Sequence, residues 1–194
     1  MAIAWPSTLR FSQQQWGVTY NNFTFTSPLT NAQQPYSMPG AYWACSLTFE
    51  VMTQAQERVF TAFMGELQGS YGTFMLPDFT RRRTDAIGTP VVGTANAHAT
   101  SMTVGGLSAN IKAFSVGDYI TINGELFEVL RDVTANPSGT ATLMLNKRIR
   151  ANIPAGTAIE YRNPYATMRL TDDSFRVARQ GIIWGTTIQC REAF

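Results

Sequence analysis

Two stretches, one near the start of the chain and one at its end, alternate apolar and polar residues over the length of a strand. In Tyr42–Val51, YWACSLTFEV, the residues Trp43, Cys45, Leu47, Phe49 and Val51 fall on one face. Tyr42, Ala44, Ser46, Thr48 and Glu50 fall on the other. Near the end, Ile182, Trp184, Thr186, Ile188 and Cys190 share a face in the same way. A period of two is the geometry of a strand with one buried side. Each large apolar side chain on that side is worth about 1.5–3 kcal/mol once covered, so the chain must build a sheet with a lid. The matching patterns place both strands in one sheet. Cys45 and Cys190 then sit in one core as reduced, buried thiols.

The lid follows at once. Thr53-Gln-Ala-Gln56 fits a capping box, with the Thr53 hydroxyl and the Gln56 side chain serving each other's backbone. Ala55, Val59, Ala62, Phe63 and Leu67 make an apolar stripe at helical spacing. Gly69 suits the left-handed residue that closes a helix, so the spacing predicts a helix over about 53–68. It is too short to stand alone and must lie on the sheet. Next comes SYGTFMLPDF, in which Gly69 and Gly72 weaken helix while Tyr71, Phe74, Leu76 and Phe79 suit a strand. Pro77 makes that strand an edge or ends it.

Residues 1–40 are polar and turn-rich, with short strands around 16–25 and otherwise an extended arm or a surface loop. Residues 89–163 read as many short strands. Asn123-Gly124 turns a hairpin within 117–130. Asn136-Pro-Ser-Gly139 makes a second turn, after which Thr140–Leu145 pairs back, and 157–162 is a further strand. A compact barrel or a small sandwich is the natural product. From 164 onward the first pattern resumes, with Ala166–Leu170 and Phe175–Val177 flanking a turn at 171–174. The expectation is a mainly β chain: an antiparallel β-sandwich or split barrel with one packed α-helix, plus an inserted small β-barrel domain. Residues 1–88 and 164–194 form the first domain and 89–163 the insert.

Composition narrows the function classes. Apolar residues make up 44% and aromatics 12% of the 194 residues, which suffices for a core. Charged residues reach only 14%, against about 25% in ordinary soluble domains, a composition that suits a surface covered by partners. The net charge of +2 is too small to argue for nucleic acid. The residues after Met1 do not read as a signal peptide, and no run is long and apolar enough for a membrane span. Cytoplasmic synthesis is expected.

No catalytic, cofactor or metal constellation is readable. His98 is the one histidine and lies in a turn-like Asn-Ala-His-Ala. Either cysteine paired with it would be a nucleophile only if its thiol were activated, and apolar strand faces do the opposite. Asp172-Asp173 are adjacent on a turn and point apart, which does not suit glycoside cleavage. The basic features are Arg81-Arg82-Arg83 and Lys147-Arg148-Ile-Arg150. A solvated loop is the bland reading of both. A strip of salt bridges between subunits is the alternative for Arg81, Arg82 and Arg83. The ribbon suggests a second contact, with Tyr71 and Phe74 meeting a neighbour by strand addition, against simple pairing inside its own domain.

The order of parts is recognisable: a polar arm, an alternating strand, a helix with Phe60, Phe63 and Leu67, then Gly69, Gly72 and Phe74. A β-rich insert with Gly117-Asp118-Tyr119-Ile120 follows, and a closing strand ends at Phe194. This order resembles the distal tail proteins of phages with long, flexible, non-contractile tails, and related tail-tip or baseplate components. The resemblance implies a structural virion protein without enzymatic activity or cofactor. It implies a ring, usually of six copies, between the tail tube protein and the hub or tape-measure proteins and fibres. The larger part would form the ring wall and the smaller β domain its outside, which in some relatives resembles a carbohydrate-binding module. Two readings stand beside it: a glycan-binding module for attachment to a cell surface, and a tail tube or tail-terminator subunit. A hydrolase with an unrecognised site ranks last.

Overall fold

The computed structural model describes residues 2–78, 80–180 and 183–194. In chain order, β1 (Ile3–Ala4), β2 (Gln13–Thr19), β3 (Asn22–Thr26), β4 (Gln33–Ser37) and β5 (Tyr42–Met52) precede the helix α1 (Gln54–Leu67). Then come β6 (Phe74–Pro77), β7 (Gly88–Val92), β8 (Ser101–Leu107), β9 (Lys112–Phe114) and β10 (Tyr119–Ile122). β11 (Glu125–Glu128), β12 (Val133–Thr134), β13 (Ala141–Met144), β14 (Tyr165–Leu170), β15 (Ala178–Gln180) and β16 (Ile183–Glu192) complete the chain. The protein is mainly β, with one described helix and several antiparallel sheets. It divides into two compact units: Met1–Val18, Trp43–Asp78 and Tyr165–Phe194 in one, Thr19–Tyr42 and Phe79–Pro164 in the other. The segment 19–42, expected with the first domain, thus clusters with the insert.

The first unit holds a sheet in the order β1-β6-β14-β16-β5-β2, with β15 also paired to β16. β5 and β16 are antiparallel neighbours, and Cys45 stands opposite Cys190, so the two alternating stretches do share a sheet. The inner face of β5 is Trp43, Cys45, Leu47, Phe49 and then Met52, not Val51, which is 67% exposed. The cause is a bulge: Thr186 faces Phe49 and Trp184 faces Met52, leaving Glu50 and Val51 opposite Gly185. A Cβ on Gly185 would stand 2.8 Å from the Phe49 carbonyl oxygen, so glycine is required there. Ile182, expected on the inner face of β16, lies outside the described residues.

The capping box forms as its residues demand. Thr53 Oγ1 accepts the Gln56 N–H at 3.3 Å and Gln56 Oε1 accepts the Thr53 N–H at 2.9 Å. The buried stripe of α1 is rotated from the expected one. Phe60, Phe63, Met64 and Leu67 face the sheet, while Ala55, Val59 and Ala62 are exposed. The bulkier set at i, i+3, i+4 and i+7 wins because it buries more apolar area. Its rings close on Trp5, Phe49 and Phe74: Trp5–Phe63 centroids lie 5.4 Å apart, Phe49–Phe60 5.3 Å and Phe63–Phe74 5.6 Å. Gly69, at φ 70°, takes the expected left-handed conformation, and Gln68 before it, at φ 51°, is left-handed as well and caps the helix. The Gly72 N–H returns to the Leu67 carbonyl at 2.8 Å.

β6 is interior. It pairs in parallel with β1 and antiparallel with β14, so the ribbon pairs inside its own unit and ends at Pro77. Phe79 lies outside the described residues. The start of the chain is core as well as arm, since Trp5 and Leu9 are buried. β14 pairs with β6 and β16 rather than with 175–177, which carries no strand. The turn at 171–174 is therefore a connection and not a hairpin turn.

The second unit wraps several short sheets around one core that includes Val104, Phe114, Ile120, Phe127 and Leu143. β10 and β11 form the expected hairpin, Ile122 opposite Glu125, with Asn123 and Gly124 both at positive φ. β13 pairs with β8, not back onto the preceding strand, and β12 pairs with β9. Residues 157–162 contribute isolated bridges, Ala158 to Val91 and Glu160 to Thr121, in place of a strand. Among the described residues the sheets do not close into the expected barrel. The strands are too short, and interrupted by too many positive-φ turns, for a continuous ladder.

Candidate assembly surface

β3 and β4 stand apart from every other sheet as a two-stranded hairpin. Every residue from 19 to 39 except Ser27 is exposed. Phe23 lies opposite Tyr36, and Phe25 opposite Gln34. Directly opposed residues and residues two apart share a face, so Phe23, Phe25 and Tyr36 lie on the same side. They are 60%, 55% and 66% exposed. Thr24, Thr26, Gln33, Pro35 and Ser37 make the other side. Leu29, at the tip, is 93% exposed. A lone two-stranded hairpin is marginal in water, and an amphipathic one with nothing over its apolar side is unfinished.

No residue from Phe11 to Phe49 is charged. The hairpin therefore lacks the lysines and inward charges with which monomeric proteins guard an open strand edge. Its two ends are fastened. The Tyr20 hydroxyl donates to the Asn146 carbonyl at 3.1 Å, and Arg150 Nη2 donates to the Ala41 carbonyl. Arg150 and Lys147 share Glu125, at 3.0 and 3.1 Å, and the Lys147 side chain has no exposed surface. What reads in the sequence as a basic patch is, at Lys147, a buried anchor and, at Arg150, a partly exposed one, next to the base of the arm.

In the first unit, Gln14 Nε2 and Trp16 Nε1 on β2 are shielded from solvent and have no acceptor among the described residues, which costs about 1–3 kcal/mol each.

The residues expected at contacts divide sharply. Tyr71 is 85% exposed, whereas Phe74 has no exposed surface and packs on Trp5 and Phe63. A neighbour can reach the first and not the second. Arg81 lies 4.1 Å above the Tyr119 ring and binds Glu128 at 3.2 Å and the Gly117 carbonyl. Arg83 binds Asp118 at 2.6 Å, Asp85, and the Ala113 carbonyl. Burial works against the Arg83 charge, but the bond to Asp85 and the charge of Asp118 hold its pKa above the usual value. The bond from Arg83 holds the Asp85 carboxyl low. These two arginines tie their own unit together. Arg82 is exposed.

The groups considered for chemistry are occupied structurally. The Cys190 thiol lies 3.3 Å from the Cys45 carbonyl oxygen, and the bond with Cys45 together with burial pushes its pKa well up, away from a nucleophile. Asp173 accepts from the backbone and the hydroxyl of Ser70, which holds its carboxyl low and makes it a tie rather than half of an acid pair. His98 sits in a turn at φ 66°. Among the described residues no group of His, Cys, Asp and Glu is arranged to hold a metal ion, and no helix is long and apolar enough to cross a membrane.

The hairpin's aromatics were legible only in part. Phe23 and Phe25 alternate, but nothing local distinguishes a face covered by the same chain from one left bare. The charge-free run from Phe11 to Phe49 is the signal that could have found it. No protein-family model matches the chain, and no curated protein matches its sequence.

Proposed function

We propose that this protein is a structural component of a phage tail tip. It forms a ring, of six copies, that joins the tail tube to the hub or receptor-binding apparatus, and it performs no chemistry of its own. The observation that carries this reading is the uncharged hairpin β3–β4, whose aromatic face is left uncovered by the described residues. Such a face is consistent with a protein finished by its neighbours. The order of elements, strand, helix, glycine ribbon, β-rich insert and closing strand, is what points to the tail tip in particular.

The glycan-binding alternative needs exposed rings on which a sugar can stack. The aromatics between 80 and 163 are Phe114, Tyr119, Phe127 and Tyr161, and all of them are buried. That weighs against a platform in the insert and leaves Phe23, Phe25 and Tyr36 of the hairpin as the exposed rings a neutral sugar could use. The test is gold-labelled antibody on intact phage particles viewed by negative-stain electron microscopy. Label confined to the distal end of the tube is expected. Label along the tube or at the head junction would replace the ring with a tube or terminator role. Absence of label together with a monomeric purified protein would sink the structural reading altogether.

A further inference from the structure

We infer that the free edge of β3 pairs antiparallel with β3 of a second copy of this chain, about a two-fold axis at Thr24. This goes one step past the ring reading, because a two-fold contact closes on itself and is separate from the contacts that make a ring.

The hydrogen bonds at the ends of the hairpin fix which groups point outward. Ser27 N–H donates to the Ala32 carbonyl and Met38 N–H to the Asn21 carbonyl, both at 2.9 Å. With the register Phe23–Tyr36 and Phe25–Gln34, the odd residues of β3 face β4 through their backbone groups, since bonded and unbonded pairs alternate. Asn22, Thr24 and Thr26 therefore turn their N–H and C=O groups to the outside of β3. On β4 the outward residues are Gln33, Pro35 and Ser37. Pro35 has no N–H, so the middle of that edge cannot donate, and β4 is blunted as a pairing site. One edge of the hairpin is open and the other is closed.

The open edge is complementary to itself. Setting Thr24 against Thr24 of the second copy puts Asn22 against Thr26 and Thr26 against Asn22. Every outward N–H and C=O of these residues then finds a partner. The same register sets Phe23 directly across from Phe25 of the second copy, and Phe25 across from Phe23. These are non-hydrogen-bonded pairs, in which side chains approach most closely. The aromatic faces of both hairpins then join into one, from Tyr36 to Tyr36. Self-complementarity of the edge selects a second copy, and absence of charge argues against charged occupants. Nucleic acid, an acidic glycan or a lipid headgroup would call for cations, and none lies between Phe11 and Phe49. An uncharged strand of matching sequence meets no such demand, and a second copy supplies it.

The test uses the full chain. Thr24→Pro removes one outward N–H and leaves the bonds to β4 in place. The particle mass by light scattering is expected to fall at least two-fold, with circular dichroism and melting temperature unchanged. An unchanged mass would overturn the pairing. Thr24→Cys guards against misfolding of the proline variant. The opposed Cα atoms of a bonded pair, about 5.5 Å apart, are within reach of a short bis-maleimide cross-linker, and both native cysteines are buried. A cross-linked dimer from Thr24→Cys, with none from Gln33→Cys on the blunted edge, is the expected result. No dimer, or equal linking from both edges, would overturn it. Either negative leaves the distal ring standing if antibody still labels the tail tip, so the two readings fail separately.

Discussion

β5 and the hairpin β3–β4 carry the same kind of pattern and meet opposite fates. In β5 the residues Trp43, Cys45, Leu47 and Phe49 alternate with polar neighbours and are at most 2% exposed. In the hairpin Phe23 and Phe25 alternate with threonine and asparagine and are more than half exposed. Alternation states that a face is meant to be covered; it does not state by what. For β5 the cover is Phe60, Phe63 and the rest of the α1 stripe. For the hairpin no cover is found among the described residues. A deletion that costs stability in one place should therefore cost assembly in the other.

The largest effect should come from Leu47→Asp. Leu47 has no exposed surface, so the substitution loses a buried leucine and forces a carboxyl into the core. Denaturant unfolding should show a loss of at least about 4 kcal/mol, if soluble protein is recovered at all. A wild-type melting curve would refute the inner-face assignment of β5 and with it the contrast.

Glu125→Ala should come next. It strips the shared carboxylate from Lys147 and Arg150, leaving the Lys147 ammonium without surface exposure. Only Lys147 in this cluster is fully buried, and it keeps its contact with the Phe127 ring, so the loss should stay below the roughly 3 kcal/mol of a fully buried pair. Because Arg150 also holds the Ala41 carbonyl, the arm should loosen at its base, measurable as faster amide exchange near residue 41. Lost stability without faster exchange there would confine the cluster to the core.

The difference between the regions also marks what could be read from sequence. The capping box at Thr53, the Asn123-Gly124 turn and the pairing of the two cysteine strands were legible because each depends on neighbouring residues or on an uninterrupted period. The outward Val51 was not, since the bulge depends on Gly185 approaching Phe49 across the sheet. The helix stripe was drawn a fraction of a turn off, because Ala55 and Ala62 fit the spacing while Phe60 and Met64 carry the volume. Phe74 looked like a contact residue because its strand ends in proline. β1, a pair of residues from the far end of the chain, makes that strand interior. Arg81 and Arg83 looked free because Glu128 and Asp118 lie far away in sequence.

Thr53→Ala is the intermediate case. It removes one half of a reciprocal cap, and N-cap losses run at about 1 kcal/mol. Thermal melts should shift down by a few degrees. Since α1 is the lid of β5, an effect near zero would mean that the Phe60–Leu67 stripe alone holds the helix in place.

The smallest effect on folding should come from the double substitution Phe23→Ser and Phe25→Ser. Both side chains already lie more than half in water, so unfolding free energy should move by no more than about 0.5 kcal/mol, as for other exposed sites. Assembly should respond in the opposite sense, because the same rings are the apolar part of the face that a neighbour covers. Sedimentation of the variant should show smaller particles than the wild type at equal concentration. A clear loss of stability in a protein that stays monomeric would mean that the hairpin is covered by its own chain. The contrast with β5 would then collapse. Unchanged particles with unchanged stability would leave the aromatic face without a role and shift the search for the contact to Tyr71 and the edge of β2.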